Sequence, residues 1–117
     1  MRKLISIALE LSKEKKKYFE NWKKYGEKIK NFVENLLGEN VRLIFFGSIV
    51  KGNYTIGSSD IDVIIISDRF HDRNLRFFIL SKLLEHYLES PFEFHLITTK
   101  EFEKWYKKFI KEEFVEI

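Results

Sequence analysis

Asp60 and Asp62 stand one residue apart at the head of an isoleucine- and valine-rich run, and Gly47-Ser48 lies eleven residues upstream of them. Alternate residues of a strand share a face, so this spacing predicts two carboxylates projecting side by side. Carboxylates that close repel each other, and keeping both ionised calls for a cation between them. Oxygen-only donors beside a glycine-containing turn suit Mg²⁺ carrying a phosphate chain better than they suit zinc. Gly47 lets the backbone approach closely and aim N–H groups at phosphate oxygens, with the Ser48 hydroxyl as a further donor. Lys51 adds a point charge for the same phosphates. These residues point to a metal-bound nucleotide.

A third acidic residue follows on a later apolar segment. In Phe92 to Thr98, Glu93 shares a face with His95 and Ile97, while Phe94 and Leu96 face the other way. A glutamate inside an apolar strand is costly unless it is paired or binds a cation. If that strand lies beside the Asp60–Asp62 strand, three carboxylates converge. Two metal ions roughly 3.5–4 Å apart would then activate an attacking oxygen and neutralise a departing pyrophosphate. Glu93 has a second reading, a lysine pair at a strand edge. His95 is either a structural histidine or part of the chemistry, and His71 and His86 read as surface residues.

The elements that must position these groups are read from periodicity. Leu4, Ala8, Leu11, Lys15, Tyr18, Trp22, Tyr25, Ile29, Phe32 and Leu36 recur at spacings of four and three, a stripe broken only by Lys15. One long helix over residues 3–37 is expected, stopped by Gly38, its first half overhanging the core and seeking a partner. The cluster Lys13, Lys15, Lys16 and Lys17 marks either a break into two helices or a solvated stretch of one. Strands follow at Val41 to Phe46, Ile61 to Ser67 and Phe92 to Thr98, with a helix over Leu75 to Leu88 ahead of Pro91. A last helix is expected with Thr99 as N-cap and Phe102, Trp105, Tyr106 and Phe109 on one face. The expected class is α+β, a small mixed sheet of three or more strands flanked by helices.

Composition narrows the function. The 117 residues suit one domain, with residues 1–37 a helical extension and 41–100 the motif-bearing core. Apolar content of 44% and aromatic content of 16% predict a packed globule. With no cysteine, disulfides, thiol nucleophiles and cysteine-based zinc sites are excluded, and a reducing cytoplasm is the expected location. No signal peptide is expected, because the early apolar run breaks at Glu10, and no stretch approaches the roughly 18 apolar residues of a membrane span. The net charge of +3 permits nucleic-acid binding without demanding it. A P-loop is excluded by the missing Gly-x-x-x-x-Gly-Lys-Ser/Thr, and glycosyltransferases that use Asp-x-Asp need far more chain.

Gly47-Ser48, the eleven-residue spacing, Asp60-Ile61-Asp62 and a later acidic strand residue resemble the nucleotidyltransferase superfamily of the DNA polymerase β type. Ser48, Val50 and Gly52, with the Ser-Ser-Asp-Ile-Asp run, are similar to its smallest branch, the minimal nucleotidyltransferases (MNT group). The resemblance covers about residues 41 to 100. It implies a polymerase β-like fold, two Mg²⁺ ions and transfer of a nucleoside monophosphate from ATP or another NTP. It matches Asp60, Asp62 and Glu93 to the metal-holding carboxylates and Gly47, Ser48 and Lys51 to the phosphate site. Lys51 stands where many relatives have arginine, and Glu93 where many have aspartate. MNT proteins are commonly paired with HEPN-family RNase toxins, which they neutralise by attaching AMP to a tyrosine. The expected partners are an NTP, a HEPN-family protein or further copies of this chain, with no membrane. The alternatives are an antitoxin that acts by stoichiometric binding and a nucleotide-binding regulator without turnover.

Overall fold

The computed structural model describes residues 2–110 and 113–117. Two helices, α1 (Arg2–Glu20) and α2 (Trp22–Leu37), lead into strand β1 (Arg42–Phe46) and a single helical turn, α3 (Ser48–Lys51). Strand β2 (Ile61–Ile66), a short 3₁₀ turn (Asp68–His71), helix α4 (Arg73–His86) and strand β3 (Phe92–Ile97) follow. A C-terminal helix over 99–110 then leads to a short strand, β4 (Phe114–Glu116). The sheet order is β3-β2-β1-β4, with β1 antiparallel to both β2 and β4 and β2 parallel to β3. The mixed α+β class is therefore as expected, with β4 as a fourth strand.

Strand β2 shows why the sheet needs cover on both sides. Five of its six residues are apolar and buried, and Asp62 is the exception. Leu43, Phe45, Val63, Ile65, Phe92 and Leu96 face a large core closed by Ile29, Val33 and Leu37 of α2 and by Ile79 and Leu83 of α4. On the opposite face Ile44, Ile64, Ile66 and Ile97 pack under Phe102 and Ile110 of the C-terminal helix. Period-two alternation sorts the strand residues between these two cores, as parallel central strands require. Helix α2 is thus part of the core, not an extension of it.

The expected single helix over 3–37 is interrupted at Asn21, beyond the lysine cluster. Asn21 leaves helical geometry (φ −124°, ψ 32°), and its side-chain amide donates to the Lys17 carbonyl at 3.0 Å, beside the backbone N–H of Asn21, which donates to the same oxygen at 3.1 Å. The bend lets Tyr18 and Phe19 dock: Phe19 is buried and stacks on Tyr54, with ring centroids 5.0 Å apart. Upstream, Leu4, Ile5, Ile7 and Leu9 are all exposed, so the front of α1 does overhang. Gly38 ends α2 in the left-handed region (φ 72°), its N–H donating to Glu34.

The C-terminal helix departs from expectation in two ways. Its N-cap is Thr98, not Thr99: the Thr98 hydroxyl accepts from Glu101 N–H at 3.2 Å and Glu101 returns a bond to the Thr98 N–H at 2.9 Å. Arg76 of α4 adds two bonds to the Glu101 carboxylate, at 2.9 and 3.2 Å, tying the two helices together. Residues Phe102–Tyr106 form a π turn, closed by the Lys107 N–H donating to the Phe102 carbonyl. This wider turn leaves Trp105 63% exposed, whereas Tyr106 packs against the second core. Trp105 therefore does not share the buried face with Phe102. The Phe109 side chain lies outside the described residues.

Gly26 reports how tightly α2 sits on the sheet. A Cβ there would reach within 2.8 Å of the Phe45 Cζ and 3.2 Å of Ile117. Ordinarily Gly→Ala inside a helix gains roughly 1 kcal/mol of propensity. Overpacking a buried ring costs about 1–3 kcal/mol and should win here. Gly26→Ala is expected to lose about 1 kcal/mol net in urea unfolding; a stabilised variant would contradict the packing described.

Candidate metal and nucleotide site

The site is built where β2 and β3 run parallel and in register. Asp62 pairs directly with Glu93, and Ile64 pairs with His95. Strands lie about 4.8 Å apart, so two carboxylates at paired positions are forced into contact range. One ligand atom from each of Asp62, Glu93 and His95 lies within 4.8 Å of the others. All three stand on the sheet face that carries the C-terminal helix, with Asp62 and His95 partly buried and Glu93 exposed.

The turn after β1 closes over this pair. Gly47 takes φ 82°, ψ −152°, a region open essentially to glycine alone. A Cβ at Gly47 would lie 2.7 Å from Asp62 Oδ2. Glycine is required here twice over, by dihedral angle and by the approach of the carboxylate. Ser48 and Ile49 then begin α3, where the first N–H groups of a helical turn lack carbonyl partners within it. Ile49 is buried in the large core and anchors that turn.

The electrostatics follow from the geometry. The Glu93 carboxyl is pushed above its ordinary range by its hydrogen bond with Asp62, then by burial and by the negative charge of Asp62. His95 pulls the other way and Asp60 adds a smaller push upward. Among the described residues Nε2 of His95 has no hydrogen-bond partner; it is buried 3.6 Å from Asp62 Oδ1 and 4.0 Å from Glu93 Oε1. Two carboxylate oxygens facing an unpartnered imidazole nitrogen are a donor set that fits a divalent cation.

The structure thus brings Gly47, Asp62 and Glu93 together, with Ser48 next to Gly47. Asp60 stands differently from the expected pair. It precedes β2, is exposed, and lies outside the Asp62–Glu93–His95 cluster, though near enough for its charge to act on Glu93. Lys51 is at the end of α3, its Nζ 3.9 Å from Glu113, beside an open groove of about 500 Å³ shared with Val50 and Phe114. Sequence reasoning left His95 open; the signal that could have singled it out is its spacing of two from Glu93. Tyr106, read only as a core or interface aromatic, has its hydroxyl 3.4 Å from His95 Nδ1.

A repulsive pair has a signature in stability. Because Glu93 is raised in the folded state, its contribution is fully present below its ordinary value of 4.5 and is lost as pH rises through the raised value. In EDTA, Glu93→Gln should match the wild-type melting temperature near pH 4 and exceed it increasingly toward pH 7. A variant less stable than wild type at pH 7 would show that the two carboxylates do not oppose each other.

The nucleotidyltransferase domain family matches residues 27–117, most of the chain. A crystal structure provisionally named a nucleotidyltransferase is 35% identical, with a TM-score of 0.65, covering 83% of this chain and 98% of its own. A second, from Sulfolobus solfataricus and provisionally named likewise, is 17% identical with a TM-score of 0.52, covering 93% of this chain and 84% of its own. The second likeness concerns the fold alone. No curated protein matches.

Proposed function

This chain belongs to the nucleotidyltransferase domain family, and on that premise we propose that it transfers AMP from ATP to a hydroxyl group of a macromolecular acceptor. The observation that carries the reading is the in-register Asp62–Glu93 pair beneath a glycine that cannot bear a Cβ. In the reaction the acceptor oxygen bonds to the α-phosphorus, the bond from that phosphorus to the bridging oxygen breaks, and pyrophosphate leaves with the electron pair. Divalent metal, when bound, supplies charge neutralisation and Lewis acidity at those oxygens.

The chain's own residues have separable tasks. Asp62 and Glu93 hold the cation, with Asp60 joining from the segment before β2. Gly47 leaves room for the phosphates, and the Ser48 N–H and hydroxyl donate to their oxygens. Glu93, the most exposed of the clustered groups, is positioned to take the acceptor's proton. Lys51 contributes positive charge from the neighbouring groove.

The test is transfer of label from α-labelled ATP with Mg²⁺ in native extract, comparing wild type with Asp62→Asn and Gly47→Ala. Wild type should label a macromolecule, and Asp62→Asn should not. Gly47→Ala should fall by about 10²-fold or more, since displacing a reacting group by an ångström costs that much. Equal labelling by wild type and Asp62→Asn would remove the assignment.

A second reading has its own observation. Leu4, Ile5, Ile7 and Leu9 expose an apolar stretch at the front of α1, beside a lysine-rich segment. Residues 2–26 fall outside the family match. We propose that this segment docks a protein partner; the MNT resemblance supports a HEPN-type toxin, with stoichiometric neutralisation as the non-catalytic alternative, and self-association is a further use of the same surface. Removing residues 1–17 leaves Tyr18 and Phe19 to seal the core. The shortened protein should keep a cooperative thermal transition, losing only the helical signal of the removed residues, yet fail to assemble with its partner or itself. Normal assembly by the shortened protein would contradict this role.

A further inference from the structure

We infer that His95 is a metal ligand, so that Asp62, Glu93 and His95 form a site of two carboxylates and one imidazole that takes Mn²⁺ in preference to Mg²⁺. The inference rests on the reading of Asp62 and Glu93 as cation ligands and concerns what the third donor does to that site.

Three features of the histidine carry it. First, Nε2 is buried with no hydrogen-bond partner among the described residues. An ordinary His–Asp pair would close to hydrogen-bond distance, yet Nε2 stands 3.6 Å from Asp62 Oδ1 and 4.0 Å from Glu93 Oε1. Those separations fall between the roughly 3.0 and 4.2 Å that separate donors at right angles and opposite each other around an ion with bonds of about 2.1 Å. Second, the other ring nitrogen has a partner of the kind a ligating histidine uses: Nδ1 lies 3.4 Å from the Tyr106 hydroxyl, which can hold the tautomer that carries its proton on Nδ1 and turns the Nε2 lone pair toward the carboxylates. Third, the ring is held from two sides, by Phe46 (centroids 5.8 Å apart) and by Tyr106 (5.6 Å). The π turn at Phe102–Tyr106 gives the Tyr106 contact a purpose, since π turns often occur where a helix adjusts to a site.

Imidazole nitrogen is a poor donor for Mg²⁺, which favours hard oxygen and water, and a better one for Mn²⁺. Adding the His95 nitrogen to the carboxylate oxygens therefore shifts the preference toward Mn²⁺.

The test titrates the metal-free full chain with Mn²⁺ alone, following free ion by electron paramagnetic resonance and bound ion by electron spin-echo envelope modulation. Wild type should bind Mn²⁺ with one imidazole-nitrogen coupling and release it only to a large excess of Mg²⁺. His95→Gln should lose the coupling and weaken Mn²⁺ binding by about tenfold or more while Mg²⁺ binding changes little. Tyr106→Phe, which leaves the ring in place, should keep the coupling and weaken Mn²⁺ several-fold. Mn²⁺ bound through Asp62 but without nitrogen coupling, or equal losses for both ions in His95→Gln, would overturn the histidine's role and leave the carboxylate site standing. Undiminished Mn²⁺ binding by Asp62→Asn, or no Mn²⁺ uptake by wild type, would overturn the carboxylate reading itself.

Discussion

The parallel pairing of β2 with β3 sets Asp62 against Glu93, and much of the molecule exists to hold those two like charges in place. Left to themselves the carboxylates would part. Their backbone positions cannot, because β2 is fixed on both faces: Val63, Ile64 and Ile65 are fully buried. Burying each such side chain stabilises by about 1.5–3 kcal/mol. Interaction between half-exposed charges is typically below about 1 kcal/mol. Hydrophobic burial wins, and the repulsion is carried as a local cost that a cation would relieve. Function and fold pull in opposite directions at one register position.

That position also explains features that look unrelated. Gly47 must lack a side chain because the Asp62 carboxylate occupies the space its Cβ would need. The C-terminal helix must turn so that Tyr106, not Trp105, meets His95, and the π turn supplies the extra residue. The capping box at Thr98 and Glu101, braced by Arg76, sets where that helix begins and so where Tyr106 arrives. Distant hydrogen bonds and aromatic contacts thus converge on the orientation of one imidazole.

Much of this was legible in the sequence, and the failures have local causes. The run from Ile61 to Ile66 announces a central strand because it is apolar on both faces. Glu93 was found through strand alternation, which the register then placed against Asp62. The break at Asn21 was not legible in the apolar stripe, because the 3-4 spacing continues through it. Trp105 was misread because a π turn shifts the period that the helical pattern assumes. β4 escaped because three residues, Phe114–Glu116, carry too short a pattern, and its pairing comes from β1.

The central claim is that the Asp62–Glu93 pair and the Gly47-Ser48 turn form one site for metal and triphosphate. A crystal structure of the protein with Mn²⁺ and a non-hydrolysable ATP analogue, with anomalous data collected at the manganese edge, tests it most directly. An anomalous peak touching both Asp62 and Glu93, with the phosphate chain against Gly47 and Ser48, is the predicted result. A nucleotide seated elsewhere, for instance in the groove lined by His71, Arg73 and Arg76, with no peak at Asp62, would contradict it.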